Sequence, residues 1–151
     1  MKYRRNIGLG EALALQMVEF VKSLAWDVDL FIPVPLGKKR LQERGYNQVA
    51  LVAQPLAYYT GINYTPNALW KARENRSQVG LSVNQRHENV LNVYQADTRI
   101  VKNKSVLVMD DVSTTGSTIS ACTNALLAAG ARDVYAITIA RALSHHDLSR
   151  V

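Results

Sequence analysis

Cysteine is nearly absent from this 151-residue sequence, in which Cys122 is the only one. A single cysteine excludes an internal disulfide framework and a zinc site built from cysteines. Long apolar runs are also lacking: Glu11 and Glu19 interrupt the N-terminal apolar stretch, and no run approaches the roughly 18 residues of a membrane-spanning helix. We therefore expect a cytoplasmic protein with no signal peptide and no membrane partner.

The sequence also lacks anything typical of a linker. Its four prolines and eight glycines are not gathered into a low-complexity tract or an internal repeat. Residues 1–151 are therefore predicted to form a single domain. At this length a domain buries about two thirds of the surface of its unfolded chain, so the core needs no covalent staples.

Acidic residues are in deficit, with 12 Asp and Glu against 18 Lys and Arg, for a formal net charge of +6 at pH 7. This balance favours polyanionic partners, and nucleic acids, nucleotides and phosphorylated sugars are all compatible with it. Aromatic residues make up only 7% of the chain, and they are not interleaved with the basic residues as a base-stacking groove requires. Direct binding of single-stranded DNA is therefore the minority prediction.

The spacing of apolar residues predicts the first secondary-structure elements. A period of three to four residues over Leu9–Leu24 predicts an amphipathic helix, and Val28–Val34 is typical of a short strand. Tyr46–Tyr59 also has helical spacing, but Pro55 lies inside it and is expected to kink or shorten that helix.

The C-terminal third predicts a strand, a helix and a second strand. Ser105–Met109 is a buried type of strand that ends at the acidic pair Asp110-Asp111, and Val134–Ile139 is the second strand. The helix between them ends before Gly130, where a left-handed cap is expected. Such a βαβ unit places parallel strands in one sheet, so we predict an α/β fold with a mostly parallel sheet and helices on both faces.

Carboxylates, hydroxyls and a glycine fill the segment between that strand and helix. In α/β sheets ligands bind beyond the carboxyl ends of the strands, and a helix N-terminus attracts an anion. Two carboxylates would repel a bare phosphate, but they suit a ligand with vicinal hydroxyls and a metal ion, such as a phosphorylated ribose. The alternative is a plain turn whose Ser and Thr residues cap the helix. The segment consists of Asp110, Asp111, Val112, Ser113, Thr114, Thr115, Gly116, Ser117 and Thr118.

The stretch Val106–Thr118 resembles the phosphoribosyl-pyrophosphate signature of type I phosphoribosyltransferases. Other motifs narrow the resemblance to the ComF-like family, and together they cover the chain from about Lys2 to Arg141. These motifs are Ile32–Pro35, Arg44–Gln48, and the spaced residues Arg73, Gln78, Leu81, Arg86 and Asn89 before Tyr94.

The resemblance implies a Rossmann-like phosphoribosyltransferase fold with a defined site for phosphoribosyl pyrophosphate. Asp110 and Asp111 would hold the ribose 2′- and 3′-hydroxyls and, through the ligand or water, Mg²⁺. The loop Ser113–Thr118 would take the 5′-phosphate.

The pyrophosphate would lie against the loop that follows the first core strand, which the family pattern maps to Pro35, Leu36, Gly37 and Lys38. The residues themselves make this plausible, because Lys38, Lys39 and Arg40 would neutralise a diphosphate leaving group together with Mg²⁺. The alternative for Lys39 and Arg40 is a solvated basic turn.

Residues 70–90 are polar and predict a long surface loop followed by a short helix near Val83–Val90. In the superfamily a flexible loop closes over the site, and Lys71–Gln85 matches its position. Closure would exclude water from the reacting centre. Its candidate catalytic donors to the pyrophosphate are Lys71, Arg73 and Arg76, each of which has a plain surface role as its alternative.

The sequence departs from the family pattern at two points. ComF-like proteins usually begin with a cysteine-rich zinc ribbon, which these residues do not contain, so we expect the transferase domain alone. Purine-salvage members commonly have an Asp where this sequence has Thr114, which argues against transfer to hypoxanthine or guanine.

Two functions from different classes are compatible with the resemblance. The first is Mg²⁺-dependent transfer of a 5-phosphoribosyl group to an unidentified nitrogen acceptor, with release of pyrophosphate. The second is a non-catalytic module of competence and DNA uptake that keeps the phosphoribosyl-pyrophosphate site and works with competence proteins or single-stranded DNA. A homodimer is also compatible with the superfamily.

Overall fold

The chain folds as helices and strands that alternate along most of its length. The structure, a computed structural model, describes residues 2–74, 80, 82 and 93–141. The helices are α1 (Lys2–Ser23), α2 (Lys38–Arg44), α3 (Gln48–Thr60), α4 (Thr98–Val101) and α5 (Ser117–Ala128), with a 3₁₀ turn at Pro66–Ala68. The strands are β1 (Leu30–Pro33), β2 (Asn63–Tyr64), β3 (Leu69–Lys71), β4 (Tyr94–Ala96), β5 (Ser105–Ser113) and β6 (Asp133–Arg141). The helix predicted near Val83–Val90 lies outside the described residues.

Four strands form one sheet in the order β2-β1-β5-β6, and every neighbouring pair in it is parallel. Phe31 of β1 pairs with Leu107 of β5, and Val106 of β5 pairs with Val134 of β6. Helix α5 connects β5 to β6 as the predicted βαβ unit requires. Strands β3 and β4 form a separate antiparallel pair. The α/β class with a mostly parallel sheet is therefore confirmed.

Apolar side chains of β5 alternate between two cores, one on each face of the sheet. Leu107 and Met109 pack with residues of α1 and α3. Val106 and Val108 pack with residues of α4, α5, β3 and β4. This alternation is the two-residue period of a strand, and a parallel sheet is stable when both faces are covered. The predicted placement of helices on both faces is confirmed.

The predicted strand Ser105–Met109 was too short, because β5 continues through the acidic pair to Ser113. The extension is held by β6: Asp110 pairs with Thr138 and Val112 with Ala140. Polar residues therefore remain in the strand because a neighbouring strand supplies their backbone partners.

The predicted strand Val28–Val34 is shorter in the structure, where β1 covers Leu30–Pro33. Val34 follows β1 but is still tied to the sheet, since its backbone N–H donates to the carbonyl of Met109 at 2.8 Å. The chain thus leaves the sheet one residue before Pro35.

Helix α1 begins at Lys2, earlier than the predicted start at Leu9, and ends at Ser23. It lies against α3 and supplies Ala14, Val18 and Val21 to the core. Within the described residues, no helix combines the length and the apolar character needed to cross a membrane.

Helix α3 runs from Gln48 to Thr60 with Pro55 inside it, so the helix, which Pro55 was expected to kink or shorten, does not stop at Pro55. Proline has no N–H, which leaves the carbonyl of Leu51 without its usual helical donor. Helix α1 approaches this point through Gly10, where a Cβ would lie only 2.6 Å from the Leu51 oxygen. The absence of a side chain at Gly10 therefore lets the two backbones meet.

A polar network closes the amino-terminal end of β5 around buried Ser105. Its N–H donates to Asp29 Oδ2 at 2.8 Å, and its hydroxyl donates to Asp133 Oδ2 at 3.0 Å while accepting from Arg132 Nη2 at 2.8 Å. The Arg132 Nε also lies 3.1 Å from Asp133 Oδ2. These contacts hold the pKa of the Asp133 carboxyl below its usual value, chiefly through the hydrogen bonds from Arg132 and Ser105.

Candidate functional site

A cleft of about 310 Å³ opens at the carboxyl ends of β1 and β5. These two strands are neighbours in the sheet, and the chain continues outward from them in opposite directions, to β2 on one side and β6 on the other. Such a switch point leaves a crevice in which α/β proteins bind ligands. The cleft is lined by Val34, Pro35, Leu36, Gly37, Arg40, Arg44, Asn47, Gln48, Val49, Lys71, Tyr94, Asp110, Asp111, Val112 and Thr118.

Asp110 and Asp111 stand at the cleft on the last part of β5. Each carboxylate accepts the backbone N–H of the next residue: Asp111 N–H donates to Asp110 Oδ1 at 2.9 Å, and Val112 N–H to Asp111 Oδ1 at 2.7 Å. These bonds orient both carboxylates locally, and no cation among the described residues forms an ion pair with either.

The Asp110 side chain is buried, with 8% of its residue surface exposed. Burial disfavours the charged form and raises the pKa of this carboxyl to about 6. A buried carboxylate without a paired cation is costly, so it favours a ligand that donates hydrogen bonds or brings a positive charge. Vicinal hydroxyls and a hydrated metal ion both have that character.

Tyr94 and Cys122 lie close enough to Asp110 for its charge to affect their pKa values. Burial raises the pKa of the Tyr94 hydroxyl and raises the pKa of the Cys122 thiol to about 12, and the Asp110 charge adds to both shifts. Cys122 is fully buried and packs in one of the two apolar cores. Tyr94 lines the cleft, a position that sequence analysis missed.

The chain turns between β5 and α5 through a glycine in the left-handed region. Gly116 is the N-cap of α5 with φ of 79°, and it has no side chain to cap the helix. The Thr115 and Ser117 hydroxyls are 2.6 Å apart. The first N–H groups of α5 therefore point into the turn together with two hydroxyls, the arrangement that binds anions at helix N-termini.

Only part of the predicted phosphate-binding segment lines the cleft. Val112 and Thr118 do so, together with the two aspartates. The other residues do not line it: Ser113 ends β5, Thr114, Thr115 and Gly116 form the turn that follows, and Ser117 begins α5.

The loop after β1 forms the opposite side of the cleft. Pro35, Leu36 and Gly37 line it, whereas Lys38 is exposed at the start of α2 and does not. Gly37 is buried, and a Cβ there would lie 2.7 Å from Glu74 Oε2. The predicted pyrophosphate loop thus reaches the cleft through its first three residues.

Basic side chains from α2 complete this wall. Helix α2 buries none of its residues, and its Arg40 and Arg44 line the cleft. The Arg44 Nη1 donates to Gln48 Oε1 at 2.8 Å, which links α2 to the first turn of α3. Arg44 and Gln48 belong to one of the motifs that carry the family resemblance, but no local pattern indicates that they share a cleft with the aspartates.

Lys71 ends β3 and is the one candidate lid residue that lines the cleft among those the structure describes. Its side chain is largely buried and its Nζ lies 3.7 Å from Glu74 Oε2. Arg73 is exposed and does not line the cleft, which puts it apart from its predicted partners. Arg76 lies outside the described residues.

The cleft residues fit one mode of Mg²⁺ binding, in which the ligand supplies part of the coordination. The described part of the chain contains no group of three or more His, Cys, Asp or Glu side chains placed to hold a metal. Asp110 and Asp111 offer carboxylate oxygens, and protein sites often bind Mg²⁺ through one or two carboxylates plus substrate phosphates. The residues therefore fit an ion that arrives with a phosphorylated ligand.

Solved structures place this fold in the class of phosphoribosyltransferase-like α/β proteins. The chain is similar to the glutamine phosphoribosylpyrophosphate amidotransferase from B. subtilis, with a TM-score of 0.58 and 23% identity over 89% of this chain and 26% of that chain. It is also similar to an adenine phosphoribosyltransferase from Thermoanaerobacter pseudethanolicus, with a TM-score of 0.52 and 15% identity over 85% of this chain and 80% of that chain.

Residues 65–150 match the family model described as the phosphoribosyl transferase domain. The protein belongs to that family, and its curated relatives place it among the ComF-like members, as predicted. One relative, the DNA utilization protein YhgH of Salmonella typhimurium, is 30% identical over 95% of this chain and 65% of its own length. Another, competence protein F of Haemophilus influenzae, is 33% identical over 76% of this chain and 51% of its own. The chain thus spans about one half to two thirds of these relatives.

Proposed function

We propose that this protein binds phosphoribosyl pyrophosphate and transfers its 5-phosphoribosyl group to a nitrogen acceptor. The observation that carries the proposal is the placement of two carboxylates, which have no cation partner among residues 2–74 and 93–141, between the helix N-terminal turn and a second loop at the same switch point. A ligand with a phosphate, vicinal hydroxyls and a diphosphate has one group for each of these three parts. The acceptor is not specified by any residue described here.

In this proposal the two aspartates and the turn after β5 hold the phosphoribosyl group. Asp110 and Asp111 accept hydrogen bonds from the ribose 2′- and 3′-hydroxyls, which relieves the burial of the Asp110 charge. The residues Ser113–Thr118 and the first N–H groups of α5 bind the 5′-phosphate. The ribose is thereby fixed at both ends, and its C1′ faces the loop after β1.

The diphosphate lies on the loop formed by Pro35, Leu36 and Gly37. Lys71 and Arg40 line the same cleft and oppose the negative charge that grows on the diphosphate as it leaves. Arg73 and Lys38 would join them only after a movement of the chain. Asp110 and Asp111 would hold Mg²⁺ through the ligand or water, and the ion would supply further charge neutralisation for the leaving group.

The reaction exchanges one bond at C1′ for another. The bond from C1′ to the diphosphate oxygen breaks, a bond from C1′ to the acceptor nitrogen forms, and the acceptor loses a proton. The protein contributes by holding the reactants in line and by stabilising charge, both of which are large effects in catalysis.

Isothermal titration calorimetry with phosphoribosyl pyrophosphate tests the donor site directly. Wild-type protein is expected to bind with a Kd near 1 μM, about −8 kcal/mol, and to need Mg²⁺. The double variant Asp110→Asn/Asp111→Asn is expected to lose at least a factor of 100 in affinity. A matched control, Glu19→Gln/Asp27→Asn, makes the same change in net charge away from the cleft and should bind like wild type. Equal affinity of the two double variants for phosphoribosyl pyrophosphate would contradict the proposal.

A second candidate function is a non-catalytic module of DNA uptake. The names of the relatives, DNA utilization and competence proteins, favour it. So does α2, an unburied helix bearing Lys38, Lys39, Arg40 and Arg44.

Salt dependence separates the two candidates. Binding of single-stranded DNA should weaken steeply with salt because counterions are released, and it should survive the Asp110→Asn/Asp111→Asn change. Turnover of phosphoribosyl pyrophosphate with any nitrogen acceptor would instead favour the enzyme.

A further inference from the structure

Asn47 makes two hydrogen bonds that serve different parts of the molecule. Its Oδ1 accepts the N–H of Val49 at 3.1 Å, which caps the N-terminus of α3. Its Nδ2 donates to the carbonyl of Val34 at 2.9 Å, thirteen residues earlier in the chain. The cap needs only an oxygen acceptor, but the second bond needs a donor, and an amide side chain supplies both.

Val34 is the residue from which the loop Pro35–Gly37 departs. Its N–H is bound to the carbonyl of Met109 in β5 at 2.8 Å, and its own carbonyl is bound by Asn47. The next residue, Pro35, has no N–H to offer. Val34, from which the loop begins, is therefore held at its N–H by the sheet and at its carbonyl by Asn47.

Val34 also lines the cleft. Val34 is buried, and Asn47 itself lines the cleft between the loop and Gln48. A bond at this place sets the direction in which Leu36 and Gly37 leave the sheet, since the loop has only three residues before α2 begins at Lys38.

We infer that Asn47 is a positioning residue that holds the loop Pro35–Gly37 in the conformation that binds a diphosphate. The inference rests on the proposed function for the identity of the ligand. The hydrogen bond from Asn47 to the Val34 carbonyl, here called the brace, is a property of the fold and does not depend on the ligand. The cap at α3 and the brace on Val34 are separable by substitution, which makes the inference testable.

Two variants and one control separate the roles. Asn47→Ser keeps a good N-cap oxygen but is too short to reach the Val34 carbonyl. Asn47→Ala loses both bonds. Asp97→Ala removes the comparable cap at α4, where Asp97 Oδ1 accepts from Arg99 N–H, at a place outside the cleft.

Binding of inorganic pyrophosphate with Mg²⁺ and binding of ribose 5-phosphate are the readouts. We expect Asn47→Ser and Asn47→Ala to weaken pyrophosphate binding by a similar factor of about ten, which is the size of one hydrogen bond's net contribution. Ribose 5-phosphate binding should stay within about twofold, and Asp97→Ala should alter neither. Asn47→Ala and Asp97→Ala should both show the lower melting temperature of a lost cap, and Asn47→Ser should melt above Asn47→Ala because it keeps a capping oxygen. Wild-type affinity for pyrophosphate in Asn47→Ser, or an equal loss for both ligands, would overturn the inference.

Amide hydrogen exchange gives a readout that does not depend on any ligand. Exchange at Leu36 and Gly37 should be faster in Asn47→Ser than in wild type and unchanged in Asp97→Ala. If wild-type protein binds neither ligand, the proposed function fails, and the exchange result still decides whether Asn47 braces the loop. Unchanged exchange in Asn47→Ser would refute the brace.

Discussion

The two ends of β5 treat buried polar groups in opposite ways. At the amino-terminal end, the Ser105 hydroxyl donates a hydrogen bond to Asp133 and accepts one from Arg132. The bonds to Asp133 favour its charged form and lower the pKa of its carboxyl. At the carboxyl end, Asp110 is buried without an ion pair among the described residues, and the pKa of its carboxyl rises to about 6. Two neighbouring strands thus carry two different acids: Asp133 of β6 is hydrogen-bonded within the fold, and Asp110 of β5 has no ion pair among the described residues.

The difference separates stability from binding. A group that is fully paired within the protein has little to gain from a ligand. A desolvated carboxylate in a cleft is preorganised for hydrogen-bond donors, and its cost to stability is recovered when they bind. Four experiments test this contrast.

The largest effect is expected from Asp110→Asn. The folded-state pKa near 6 exceeds the ordinary value of about 3.9, so ionisation of Asp110 costs stability as pH rises between these values. At pH 7.5 the variant should therefore be more stable than wild type by about 3 kcal/mol, while its affinity for phosphoribosyl pyrophosphate falls at least 100-fold. Thermal melts from pH 4 to 8 check the sign: the two melting curves should converge below about pH 4. A variant less stable at pH 7.5 would contradict the contrast.

Ser105→Ala is the matching change at the other end. It removes a buried hydroxyl that donates to Asp133 and accepts from Arg132, so the free energy of unfolding should drop by about 1–2 kcal/mol. Ligand affinity at the cleft should stay at the wild-type value. Chemical denaturation measures the free energy of unfolding, and calorimetry measures the ligand affinity. A loss of affinity would mean that the two ends are not independent.

Glu74→Gln should tighten pyrophosphate binding about threefold, the worth of a modest exposed charge interaction. The Glu74 carboxylate stands against Gly37, where a diphosphate would bring like charge. Glu43→Gln, on exposed α2, makes the same charge change without that contact and serves as the control. Weaker binding in Glu74→Gln would show that the carboxylate helps the ligand and does not compete with it.

The smallest effect is expected from Asp133→Asn, because the carboxylate is exposed. Its lowered pKa means that it stabilises the fold above the ordinary pKa of Asp and that this contribution is lost as pH falls. The variant should melt below wild type at pH 7, and the difference should disappear as pH falls through the lowered folded-state pKa of Asp133. Asp27→Asn, which changes the same charge nearby, should show a smaller difference at pH 7. Identical melting of Asp133→Asn and wild type at pH 7 would remove the role given to this carboxylate.

Local pattern was enough to predict the βαβ unit and the class of fold. The apolar run Val106–Met109 and the helical spacing around Cys122 are strong signals, because they record burial directly. The predicted end of that strand before Asp110 was wrong. Asp110 and Val112 pair with β6, which keeps this polar segment in the sheet.

The cleft was only partly predictable. The aspartates were placed at the carboxyl end of a strand by position alone, and the structure puts them there. Tyr94, Arg44 and Gln48 reach the same cleft through long-range packing, which no local spacing encodes. Arg73 carries the right charge for the predicted site, but the fold directs it to the surface.

The contact between Gly10 and Leu51 has a consequence for how the chain can vary. Pro55 removes the donor that would satisfy the Leu51 carbonyl, and Gly10 gives that carbonyl a close neighbour from another helix. A methyl group at position 10 would force the helices apart, whereas an N–H at position 55 would draw the same carbonyl back into α3. Positions 10 and 55 therefore form one mutational unit, so the destabilisation caused by Gly10→Ala and the change caused by Pro55→Ala should not add.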